Sequence, residues 1–438
     1  MKLYKKIATL AGMGAYLDGF DLIVISGAIS LINITFAISS PQVSGLLIGT
    51  AFLGGFFGAI FLGRLVDKFG RRIMFLSDLF LFVGGTLITA LSINLPEIFL
   101  GRVLVGLAIG ADISVSWTMV AEYSPKNRRG ALLSYQFILW GLGAISSYLV
   151  IDVLLSTGNI AWRIAFLIGL IPAIAVLIFR RSIPESPRWL ISKGEENKAK
   201  EILKSNAIYI SEDSILSLRG KSSKYTPMTL FSRKFRRLST GIFLAQFLAF
   251  FIVIPANLYT PKILVMVGFS HQLSVSLLGS AFVWIFNVVG FLVGALLLDK
   301  IGRRNVAGFA FIPLAAILLV LWLTNLPVNV FFVFWILVEF LSAFGASVTW
   351  AWSSELFPTA IRGFAMGFNG SANRLIGFFG SYVLAVLLAI SLKSVYETAF
   401  IVGVALVFIV MFWINVEAKG KELEDISEKR VEGVHNET

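Results

Sequence analysis

Apolar stretches of about 20 residues recur roughly a dozen times from one end of this chain to the other. At 1.5 Å per residue, 20 helical residues measure ~30 Å, the thickness of a bilayer's hydrocarbon core. A water-soluble fold has no way to hide this much apolar surface. Of the 438 residues, 57% are hydrophobic and 14% charged, against about 25% charged in ordinary soluble domains. The expected fold class is therefore an all-α membrane protein with twelve transmembrane helices. Hydropathy and chain breakers predict spans near 7–33, 42–66, 73–92, 96–121, 131–154, 160–181, 238–266, 272–298, 305–325, 328–353, 362–388 and 394–416.

The longest interruption, 182–237, is polar and basic, with a short amphipathic pattern at Asn197–Ser205. It divides the chain into an N-terminal six-helix unit (1–181), a central loop (182–237), a C-terminal six-helix unit (238–416) and a tail (417–438). The formal charge of +12 has a topological meaning, not a nucleic-acid one. Lys2, Lys5 and Lys6 precede span 1. Lys68, Arg71 and Arg72 lie between spans 2 and 3, Lys126, Arg128 and Arg129 between 4 and 5, and Lys300, Arg303 and Arg304 between 8 and 9. The alternate loops 34–41, 93–97 and 155–160 carry no Lys or Arg. The positive-inside rule then puts both termini and the central loop in the cytoplasm of a multi-pass protein of the cell membrane. Met1–Lys6 is basic, but the apolar run that follows reaches about Asn33 without a clear cleavage site, so it reads as span 1 and not as a removed signal.

Several chemistries are excluded by what the chain lacks. With no Cys there is no disulfide, thiolate metal site or cysteine nucleophile. His271 and His435 are the only histidines, too few for a His-rich metal site. No Gly-Lys-Ser/Thr phosphate loop occurs. No metal or cofactor is expected, and the bilayer is a partner.

The two halves repeat each other. Asp67-Lys68-Phe69-Gly70-Arg71-Arg72 matches Asp299-Lys300-Ile301-Gly302-Arg303-Arg304. Glu122-Tyr123-Ser124-Pro125, followed by Arg129-Gly130, matches Glu355-Leu356-Phe357-Pro358, followed by Arg362-Gly363. Two independent motifs at nearly one offset imply a duplicated six-helix unit.

At these motifs the chain resembles the major facilitator superfamily. Gly63–Arg72 is similar to that superfamily's signature between spans 2 and 3, and Asp299–Arg304 to its second copy. Pro184–Leu190, Glu355–Gly363 and Lys419–Glu424 resemble the segments after spans 6, 10 and 12 of the sugar porters and related metabolite carriers. The resemblance implies a gradient-driven transporter and not an enzyme, with a small solute and protons as partners and able to work as a monomer. It also implies two six-helix bundles that rock about a midplane site. Asp67, Arg71, Glu122, Arg129, Asp299, Arg303, Glu355 and Arg362 would form charge-assisted latches made in one state and broken in the other.

Ionisable groups at bilayer depth are costly and usually functional. The predicted spans hold Asp18, Asp21, Asp78, Arg102, Asp112, Glu339 and Arg374. The i,i+3 spacing of Asp18 and Asp21 puts both carboxyls on one helix face. Gly19–Gly27 resembles span 1 of proton-coupled sugar porters, which implies Asp21 as proton carrier and Arg102, opening span 4, as its partner. Asp18 resembles the first acid of a paired-acid pattern in phosphate and metabolite symporters. Asp112, ~15 Å beyond Arg102 along the helix, resembles an acid of phosphate and metabolite carriers. It reads as a second proton site, a substrate contact, or an acid held by its neighbours.

The solute is less legible. Aligned on Tyr259-Thr260-Pro261, the sugar porters' span 7 amides fall on Ala249, Phe250 and Ile254, and their span 5 glutamine falls near Leu142 or Gly143. The phosphate carriers' span 7 acid is absent, and Trp140 replaces their glutamine. Arg374 lies ~18 Å into span 11, where a cation is neutralised by an acid such as Glu339 or offered to an anionic ligand. The remaining polar and aromatic candidates are Gln136, Gln246, Asn257, Asn287, Asn369, Asn373, Trp117, Trp140, Trp284 and Trp350. The expectation is proton symport of a small organic anion. A sugar:proton symporter, a phosphate symporter and a non-transporting solute sensor are the alternatives.

Overall fold

A computed structural model describes residues 3–124, 129–205, 227–233, 235–357, 359–414 and 416. Its regular elements are helical throughout, because a backbone in lipid must satisfy its own hydrogen bonds. Among the described residues, eleven segments are long and apolar enough to cross a membrane. One of them, Tyr135–Arg180, is 46 residues long and is interrupted by a 3-10 turn at Leu155–Ile160, so it supplies two spans. The twelve spans begin with Leu3–Thr35, Pro41–Phe57 and its continuation to Phe69, Arg71–Leu91, Leu95–Tyr123, Arg129–Leu154 and Ala161–Arg180. Arg236–Met266, Leu273–Ile301, Arg303–Leu323, Val328–Glu355, Thr359–Ile390 and Leu392–Phe408 complete the set. The polar linker contributes two short helices, Pro187–Ser192 and Glu196–Ser205. The rest of the central loop (206–226), the tail signature Lys419–Glu424, and Lys126 and Arg128 lie outside the described residues.

Local chemistry sets the span ends. At the start of span 4 the Asn94 side chain accepts from the Glu97 N–H (3.0 Å), while the Glu97 carboxylate accepts from Ile93 N–H (2.7 Å). This reciprocal cap, with Pro96 in the first turn, satisfies donors that a helix start leaves open. Ser391 caps span 12 through the Ser394 N–H at 3.1 Å. Spans 2 and 3 are separated by Gly70 at φ 101°, and spans 8 and 9 by Gly302 at φ 91°. Both turns need a left-handed backbone that only glycine adopts cheaply, so the repeat read from sequence is a repeat of conformation as well.

By contacts the chain forms two compact units. The first comprises Met1–Leu22, Thr50–Ala144 and Trp162–Lys224, and the second comprises Ile23–Gly49, Ile145–Ala161 and Tyr225–Thr438. Spans 1, 2 and 5 thus contribute to both. In the first unit, spans 1 and 5 touch backbone to backbone. A side chain on Gly19 would collide with the Trp140 carbonyl, and one on Gly143 with that of Tyr16. Spans 2 and 4 pack the same way at Gly54 and Gly106. These approaches fix Asp18, Asp21, Arg102 and Asp112 in place. In the second unit, the far part of span 2 lies against span 11, with Gly45 and Gly49 on the backbone of Ser381 and Phe378.

Candidate functional site

The first unit holds two separate clusters of buried charge. In one, Arg102 of span 4 donates from Nη1 to the Asp21 carboxylate and from Nη2 to the Asp21 carbonyl at 3.1 Å. Arg102 is 0% and Asp21 2% exposed, and the guanidinium lies 5.5 Å above the Phe166 ring. The pair expected from the sequence therefore exists as a fork over one residue of span 1, with carboxylate and backbone gripped together. A buried pair of this kind holds while both charges persist, and neutralising one strands the other.

The second cluster is built on a residue that sequence reasoning passed over. Arg180, last in span 6, is 0% exposed. Its Nη1 lies 2.7 Å from Asp112 Oδ1 and 3.1 Å from Asp78 Oδ2, and it also donates to the Phe75 carbonyl at 3.1 Å. Its Nη2 donates to the Leu10 carbonyl at 3.4 Å, and its plane stacks 3.6 Å from the Phe75 ring. Asp18 adds to its electrostatic surroundings. Gly14 leaves the room that the Arg180–Asp112 contact occupies. Asp112 also accepts from Ser116 at 2.9 Å. Three carboxyls thus share one guanidinium. With all three ionised, the cluster would carry two more negative charges than this guanidinium offsets, an arrangement that burial makes costly. Asp18 and Asp21, although on one helix face, belong to different clusters. Arg180 was hidden because it precedes Arg181 at a span end, where positive charge reads as a topological marker.

The latch motifs form the same contact in both halves. Arg71 Nη2 lies 3.4 Å from Glu122 Oε1 and its Nη1 donates to the Val66 carbonyl at 3.5 Å. Arg303 grips Glu355 with Nε and Nη2 at 3.0 and 2.7 Å and donates to the Leu298 carbonyl at 3.1 Å. The side chains of Asp67, Arg129, Asp299 and Arg362 lie outside the described residues. A further participant is Glu185, from the segment after span 6. Its carboxylate accepts from the backbone N–H of Arg71 (2.9 Å) and Arg72 (3.1 Å), where an anion is favoured at the start of span 3. Next to it, the Tyr123 hydroxyl donates to the Glu185 carbonyl at 2.8 Å.

The expected solute contacts divide between the units. In the first, Gln136 is buried with neither amide atom paired, and Trp140 is half-buried. In the second, Gln246 donates to Ser353 Oγ at 2.8 Å and to the Thr349 carbonyl at 3.3 Å. Asn287 of span 8 donates to Glu339 of span 10 at 2.9 Å. Asn257, Asn369 and Asn373 are buried, and Trp350 is half-buried beside Gly370. Arg374 is half-buried and has contacts of its own. Glu339 is not its partner: among the described residues, no Lys, Arg or His pairs with Glu339.

Residues 7–429 match the family described as "Sugar (and other) transporter". The chain belongs to that family. It is similar over 96% of its length to the arabinose-proton symporter of Bacillus subtilis, with 30% identity and 93% of the relative covered. The niacin transporter NiaP of Acinetobacter baylyi is 27% identical, with 97% of each chain covered. Among solved structures, a partially occluded inward-open form of the xylose transporter XylE from E. coli superimposes with a TM-score of 0.81, at 22% identity, over 96% of this chain and 99% of that one. The fold is that of the major facilitator superfamily, twelve membrane helices in two six-helix bundles, and the protein is a multi-pass membrane transporter.

Proposed function

We propose that this transporter is a proton-coupled symporter that moves a small polar metabolite by alternating access, with Asp21 as the proton carrier and Arg102 as its release. The observation that carries the reading is the fully buried Asp21–Arg102 fork. A fully buried acid paired with one cation exchanges its proton only if the pair opens. Protonation of Asp21 then removes the ionic half of the fork and leaves only the carbonyl contact, so the hold of span 4 on span 1 weakens. Asp112 and Asp18, clustered on Arg180, hold further protons that follow the movement of span 1. The Arg71–Glu122 and Arg303–Glu355 contacts act as latches broken in the opposite state.

For the solute, a neutral polyhydroxyl compound is the first reading. Gln246, Asn257, Asn287, Asn369 and Asn373 give the C-terminal half buried amides suited to hydroxyl groups, and the arabinose-proton symporter is a relative. A small organic anion is the second reading. It is favoured by Arg374, a half-buried cation of span 11, and by kinship with the niacin transporter. The positive loops support a cell-membrane orientation with both termini cytoplasmic, and one chain suffices for the cycle.

The test is uptake into proteoliposomes under an imposed inward proton gradient, with labelled pentoses and hexoses offered against nicotinate and other small acids. Sugar accumulation that survives Arg374→Ala supports the first reading. Acid accumulation lost in Arg374→Ala supports the second. Accumulation indifferent to the proton gradient refutes proton coupling.

A further inference from the structure

A carboxyl in the C-terminal half has no role in the cycle described so far. Glu339 lies ~16 Å into span 10 and is 0% exposed. Its hydrogen bond comes from Asn287 Nδ2 at 2.9 Å, and its Oε1 has no partner. Around it, Asn287 Oδ1 and the Ser342 hydroxyl are likewise buried without partners. Among the described residues no cation pairs with it.

The cluster borders a contact between spans 1, 5 and 7 inside the second unit. The Ser26 hydroxyl donates to the Leu258 carbonyl at 2.5 Å and lies 3.0 Å from the Tyr148 hydroxyl. Tyr148 in turn donates to the Asn257 carbonyl at 3.1 Å. Tyr148 also interacts electrostatically with Glu339. The Tyr259 hydroxyl of span 7 donates a hydrogen bond to the Ser381 carbonyl, Arg374 of span 11 makes no pair with Glu339, and the described charges of spans 8 and 9 sit at the ends marked by Lys300 and Arg303.

We infer that Glu339 is a second proton-binding site, and that the contact of spans 1 and 5 with span 7 closes only when Glu339 carries its proton. A fully buried ionised carboxylate with one amide donor and no paired cation is not sustained at this depth. The closed contact seals Glu339 in, so it selects the neutral acid. Opening lets water reach the carboxyl and the proton leave. In the orientation proposed above, this contact is the extracytoplasmic gate, so the gate senses external pH apart from Asp21.

Because the chain has no Cys, a single engineered cysteine reports on the gate. Leu277, fully buried, has its side chain 3.1 Å from where a Cβ on Gly27 of span 1 would sit. Leu277→Cys is to be labelled with a membrane-impermeant maleimide across a pH series. Dividing each rate by that of the exposed Ser156→Cys removes the thiol's own ionisation. Labelling should be slow at acid pH and rise with pH by up to about tenfold per unit, the limit for one linked proton. Glu339→Gln, permanently neutral, should label slowly at every pH, and Glu339→Asp should restore the dependence. Ile151→Cys, also buried in this unit, is the second reporter if Leu277→Cys does not fold. A pH dependence that persists in Glu339→Gln overturns the inference, as does fast labelling of that variant at all pH. Sodium slowing the alkaline reaction would overturn it in favour of a metal cation at the same oxygens. Asp21→Asn should keep the Glu339-dependent labelling, so loss of proton-driven uptake and loss of this gate signal are separable results.

Discussion

Replacing Arg180 by Met keeps its bulk and removes its charge. Its contacts with Asp78 and Asp112, at 3.1 and 2.7 Å, each give a gross attraction of about 5–6 kcal/mol when that acid is ionised, at an effective dielectric near 20. Desolvation and repulsion among the acids take back much of that. Removing one partner of a buried ion pair costs about 3–5 kcal/mol net. With an unfolding entropy of about 2.1 cal/mol/K per residue, a 438-residue chain melts with about 0.9 kcal/mol/K. Arg180→Met should then lower Tm by about 3–5 °C, read by thermal unfolding of the detergent-solubilised protein. Lowering the pH supplies protons to the stranded carboxyls, so the deficit should shrink at acid pH and grow at alkaline pH. Adding Asp112→Asn to Arg180→Met should recover part of the loss, because one stranded charge is gone. A wild-type Tm at all pH, or a deficit that grows toward acid pH, would refute the charge-cluster account.

Two further substitutions test the scaffold and the latch. Gly19→Leu drives span 1 off the Trp140 backbone and should prevent accumulation of stable protein, whereas Gly84→Ala, with open space at that Cβ, should be neutral or stabilising by up to ~1 kcal/mol; fluorescence size exclusion after expression compares them. Glu355→Gln removes a charge-assisted fork from Arg303 and should cost about 1–3 kcal/mol in this conformation, with the change falling mainly on the transport rate and not on apparent solute affinity in a concentration series.

The fold was legible because two signals are global. Span length reports bilayer thickness, and the repeated Asp–Gly–Arg–Arg and Glu–Pro–Arg–Gly patterns report duplication, which the structure repeats down to the Val66 and Leu298 carbonyls held by Arg71 and Arg303. The Asp21–Arg102 pair was legible because both are charges inside apolar runs and the segment Gly19–Gly27 resembles span 1 of proton-coupled sugar porters. Arg180 was not, because an arginine at a span end looks the same whether it faces lipid headgroups or turns inward to three acids. Glu185 sits in a loop whose polarity is unremarked until the start of span 3 is placed over it. Glu339 was visible as a buried charge, but its neighbour was not: Asn287 is 52 positions away, and only packing of spans 8 and 10 joins them. The solute is hardest to read, because hydroxyl and carboxylate recognition depend on where amides and Arg374 point, which spacing alone does not encode.

The most direct test of proton coupling through the buried pair is to compare two transport modes in one variant. Asp21→Asn keeps the shape at span 1 and removes the titration. Loaded into proteoliposomes, it should lose proton-driven accumulation of the solute while retaining counterflow exchange, which needs only the movement of the loaded carrier. Accumulation at the wild-type level in Asp21→Asn would contradict the account.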